Sequence, residues 1–71
     1  MQAAIEVLTA ELRIFEAEYM NYAHAVDEAQ KYETRTHVAN LKALRANAWV
    51  RVATTNNLIN KLMEQAEKVA A

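Results

Sequence analysis

His24, Asp27 and Glu28 stand at i, i+3 and i+4, and Glu33 and His37 repeat an i,i+4 spacing. On a helix each set shares one face, so each offers two or three nitrogen and oxygen ligands to a metal ion. The inward Glu-x-x-His pairs of di-iron helical bundles are absent, and nothing in the pattern supplies the outer hydrogen-bond partners that hold metal ligands in place. No metal and no cofactor are therefore expected. Nucleophiles are equally scarce. The chain has neither cysteine nor serine, and the threonines that come close to both a histidine and an acid are Thr34 and Thr36, beside Glu33 and His37. Their simpler role is to cap a helix. The expectation is a protein that is not an enzyme.

A second chemistry is suggested by the stretch from Thr34 to Met63, which contains no Asp or Glu but carries Arg35, Lys42, Arg45, Arg51 and Lys61. On a helix Lys42, Arg45, Trp49 and Asn56 fall close to one line, and Asn47 and Arg51 lie in a neighbouring polar strip. Arginine, lysine and asparagine suit phosphates and base edges, and a tryptophan can stack on an unpaired base. Lys42, Arg45, Asn47, Trp49 and Arg51 thus form a candidate surface for a partner, protein or nucleic acid. Against nucleic acid stand a net charge of −1, the absence of a known nucleic-acid motif and the wide spread of the bases. RNA or DNA binding by a helical-bundle dimer is the second reading; protein–protein interaction is the first.

The elements that must position these residues are helices. Glycine and proline are both absent, and alanine, leucine, glutamate, glutamine, lysine and arginine dominate. In the first half Met1, Ile5, Leu8, Leu12, Phe15, Tyr19, Tyr22, Val26 and Ala29 follow an unbroken 4,3 spacing, the 3.5-residue repeat of a coiled-coil seam. In the second half Val38, Leu41, Ala48, Val52, Thr55, Ile59, Leu62, Ala66 and Val69 follow the same rule, with Arg45 the one charged interruption. The nine-residue step from Ala29 to Val38 fits neither insertion that a continuous coiled coil absorbs. One straight helix would turn its apolar face away midway.

The phase change predicts an all-α, two-helix antiparallel hairpin with coiled-coil-like packing: helix 1 over about residues 2–32, a turn over about 33–36, helix 2 over about 37–70. One long helix is an alternative, as are three helices with a break in the Thr- and Asn-rich stretch 53–57. Thr34 or Thr36 is the expected cap of the second helix. Phe15, Tyr19 and Tyr22 are large neighbours on the seam, and Ala29, Ala48 and Ala66 are small enough to face them.

Charge is unevenly divided between the halves. Residues 1–33 hold seven acids against two bases, and residues 34–71 hold six bases against two acids. Antiparallel pairing would bring opposite signs together along the hairpin.

Seventy-one residues make a marginal core, and Val7, Ile14, Met20, Leu44, Trp49, Val50, Leu58 and Met63 lie outside both seams. Widened stripes imply further helical neighbours, so self-association into a bundle is expected. The seam assigned to it is Leu8, Leu12, Phe15, Tyr19, Tyr22, Val26, Val52, Ile59 and Leu62. Acids at Glu6 and Glu11 interrupt any secretory signal, and the uncharged stretches are too short for a membrane span. These features predict a cytoplasmic protein of a bacterial cell, or of an infected host if viral, acting as an adaptor, a regulator or inhibitor, or an assembly component.

Overall fold

The computed structural model describes residues 2–70, so the seam position expected at Met1 lies outside the described residues. Helix α1 spans Gln2–Tyr32 and helix α2 spans Arg35–Ala70. They pack antiparallel as a hairpin whose extents are 56 × 14 × 12 Å. Seventy-one residues in one straight helix would reach about 105 Å at 1.5 Å per residue. The measured length is that of α2 alone, with α1 folded back along it.

The reversal occupies only Glu33 and Thr34, two residues shorter than the sequence predicts. Thr34 caps α2: its hydroxyl oxygen accepts a hydrogen bond from the His37 amide at 3.4 Å, and its carbonyl accepts one from the Val38 amide at 3.1 Å. These satisfy amide donors that a helix start otherwise leaves without partners. At the other side of the turn the Glu33 amide still reaches the Ala29 carbonyl, at 2.9 Å. Among the described residues no backbone has a positive φ, so the turn requires no glycine. Cap chemistry at Thr34 moves the start of α2 ahead of Thr36.

The Thr- and Asn-rich stretch 53–57 lies inside continuous helix. Its weak propensity is overridden by packing, because Thr55 is buried on one side and Ile59 one turn later. The three-helix and single-helix alternatives are not observed.

The two seams face each other within the chain. Val26, Ala29, Ala48 and Ile59 are buried, with Val26 and Ala48 almost fully so, and Leu8, Leu12, Phe15, Tyr19, Tyr22, Val52 and Leu62 are half-buried. Register is set by two cross-helix contacts: Glu18 meets Arg51 at 3.3 Å, and the Tyr19 and Trp49 rings lie 5.3 Å apart between centroids. Counting from them, Tyr19 lies level with Trp49 and Val50, and the small, fully buried Ala48 stands beside this layer on the seam. Val69, expected on the seam, is exposed, because α2 runs past the first described residue of α1 and no described residue stands opposite it.

The uneven charge of the two halves is little used inside the chain. Among the described residues the ion pairs are Glu28–Lys31, Glu33–His37 and Glu18–Arg51, and the last alone joins the helices. With both its side chains 42% exposed, that pair contributes at most about 1 kcal/mol. By the same count Arg45 stands level with Ala23 and His24, where α1 offers no acid, whereas Lys42 stands level with Val26 and Asp27 and forms no ion pair with any described residue.

Candidate functional site

The hairpin has two flanks, and they differ. Along one, Tyr19 and Trp49 form a tilted aromatic pair at an interplanar angle of 54°. On one side of this pair lies an open groove of about 340 Å³ lined by Leu12, Glu16, Tyr19, Met20, Trp49, Val52 and Asn56. On the other lies a shallower one of about 430 Å³, lined by Tyr19, Arg45, Ala46 and Trp49. Tyr19 and Trp49 belong to both. The two hollows therefore make one continuous surface, apolar at its centre, with a carboxylate at one end and a guanidinium at the other.

Trp49 leaves 55% of its surface in water and Met20 leaves 65%, although both belong to residue types that are usually covered. Their exposure follows from the geometry of two helices. Each helix can turn only its seam toward the other, and a side chain one position beyond the seam lies about 100° away from it. Nothing in a two-helix hairpin is left to cover those positions.

The opposite flank carries the Glu18–Arg51 pair, and there the Arg51 guanidinium also sits 5.9 Å from the centre of the Phe15 ring. Val7, Ile14 and Leu58 are exposed, with Val7 and Ile14 each more than half open to water. Trp49 and Arg51 are two residues apart, hence about 200° apart around α2. The basic surface read from sequence is thus divided: Arg45 and Trp49 line one hollow with Lys42 exposed one turn before Arg45, whereas Arg51 lies on the other flank, occupied by Glu18 and Phe15. Asn47 is exposed.

The chain matches no protein-family model, no curated protein and no solved structure. Its chemistry must accordingly be read from its own residues. Among the described residues no group of three or more His, Cys, Asp and Glu side chains is placed to hold a metal ion, and His24, Asp27 and Glu28 do not form one. Glu28 instead meets Lys31 at 3.7 Å, and Glu33 meets His37 Nε2 at 2.8 Å beside the turn. No described helix is long and apolar enough to cross a membrane.

The sequence places Asn56 on one helical line with Arg45 and Trp49, but it groups them with Arg51 and gives no place to Glu16 or Met20 on this surface. Their membership of the groove follows from the spacing of Glu16, Met20, Trp49 and Asn56 relative to the two seams. That signal becomes legible only once both seams and their register are fixed.

Proposed function

We propose that the chain is a non-enzymatic helical interaction module that acts as a homo-oligomer and presents helix surfaces to a protein partner, in the role of an adaptor, a regulator or inhibitor, or an assembly component. The observation that carries this reading is uncovered surface. A compact monomer of 8.0 kDa exposes about 4,450 Å² by the usual scaling of area with mass. The hairpin exposes 5431 Å², in excess by about 1,000 Å². A stable interface removes about 800 Å² from each partner, so the excess is the size of one interface. Its apolar part, including Trp49, Met20, Val7, Ile14 and Leu58, lies on the two flanks, and a tryptophan and a methionine are among the types enriched at interface centres.

A second reading, an RNA- or DNA-binding helical-bundle dimer, is favoured by one feature: Arg45 and Trp49 share a hollow that could accept a phosphate and a stacked base. Engagement of Arg51 on the opposite flank weighs against it.

Sedimentation equilibrium tests the reading. At micromolar concentration the chain is expected to run as a dimer or larger species and to melt at temperatures that rise with concentration. A stable monomer with concentration-independent melting would remove the proposal. Binding to RNA or DNA that weakens steeply with salt would promote the second reading.

A further inference from the structure

Glu16 and Arg45 lie at opposite ends of the Tyr19–Trp49 patch, and neither forms an ion pair with any described residue. Glu16 precedes Tyr19 by three residues, about 4.5 Å toward the open end of the hairpin. Arg45 precedes Trp49 by four residues, about 6 Å toward the turn. Because α1 and α2 run in opposite directions, the two charges flank the aromatic pair at nearly equal distances on opposite sides. A patch with this pattern is complementary to itself when turned through 180° about an axis crossing the groove at the level of Trp49.

We infer that the Tyr19–Trp49 flank is a two-fold interface with a second copy of this chain. The two Trp49 rings meet near the axis, and Arg45 of each copy pairs with the other copy's Glu16. This rests on the self-association proposed above and names its face and symmetry.

Three features support a second copy as the occupant. The lining of the patch itself holds one carboxylate, Glu16, and one guanidinium, Arg45, neither of them ion-paired among the described residues. Arg45 occupies a seam position, is half-buried as a residue, and has no carboxylate partner among the described residues. The surface in excess of a compact monomer matches one partner's share of a standard interface. Helices of the two hairpins would run antiparallel across the contact, giving a four-helix bundle with the exposed indole at its centre, where binding energy concentrates.

Charge exchange tests the inference. Arg45→Glu alone places two like-charged pairs across the axis, and Glu16→Arg alone does the same with the opposite sign. Each single variant is expected to weaken self-association by at least about tenfold. An equimolar mixture of the two should form a heterodimer, since both of its cross-pairs are then opposite in sign, and the double variant should regain self-association. Circular dichroism of each variant monitors helix content. If a charge reversal unfolds the chain, Glu16→Gln and Arg45→Gln replace it: each weakens association, and the two combined cost less than the sum of their separate effects. Wild-type dimers with single variants that associate as tightly, or a mixture that fails to recover, would overturn this face while leaving self-association standing. A monomeric wild-type chain would instead overturn the reading on which the inference rests.

Discussion

Val26→Asp is expected to unfold the chain at micromolar concentration. Val26 is 1% exposed and belongs to a core with only four buried apolar side chains among the described residues. A domain of this length has about 4–10 kcal/mol of stability in total. Leaving a buried charge without a partner costs about 3–5 kcal/mol. The nearest base on α2, Lys42, is exposed and lies outside the seam into which Val26 packs, so it offers little compensation. Val26→Ala separates the effect of charge from that of volume. It removes two carbons, worth about 2 kcal/mol with the residual cavity, and should leave a folded chain with a lower melting temperature. Far-UV circular dichroism distinguishes the two variants. Wild-type helix content and melting in Val26→Asp would contradict the placement of this seam.

Trp49→Ala is expected to act on association far more than on folding. Within the chain the indole contributes an aromatic pair with Tyr19, worth about 0.5–1.5 kcal/mol beyond its area, and more than half of the residue remains open. At the centre of an interface a tryptophan typically contributes 2 kcal/mol or more, roughly thirtyfold or greater in dissociation constant. The variant should therefore retain the helix content of the wild type while its dimer dissociates at concentrations where the wild-type dimer is intact. Sedimentation and circular dichroism on the same samples check both halves of this expectation. Equal loss of helix and of association would assign Trp49 to the core instead.

The hairpin was legible because its information is periodic. Eight seam positions at 4,3 spacing from Ile5 to Ala29 specify α1, the same rule specifies α2, and the step from Ala29 to Val38 is too irregular for one helix to cross while keeping both faces sticky on one side. Thr34 was legible as one of two possible caps, and the hydrogen bond from the His37 amide decides between them. Charge was harder to read. The imbalance between halves points to opposite signs meeting, yet it carries no register, and a shift of one layer decides whether a given base meets an acid. Arg45 is left without one, and among the described residues Glu18–Arg51 is the one ion pair that joins the helices. Flank assignment failed for a related reason. Arg51 and Trp49 are neighbours in sequence and both suit an anionic partner, but two residues on a helix point in nearly opposite directions. The groove is a property of two helices together, so Glu16 and Met20 acquire their places only after α1 is laid against α2.

Trp49 is the single tryptophan of the chain, so its fluorescence reports the proposed interface without labels. The most direct measurement is the emission spectrum through a dilution series, with the oligomeric state followed in parallel by sedimentation. Association through the Tyr19–Trp49 flank predicts blue-shifted emission at high concentration and a red shift on dilution that tracks dissociation point for point. Emission that stays red and constant while the chain associates and dissociates would contradict the account, because the indole would then remain in water whether or not a second copy is bound.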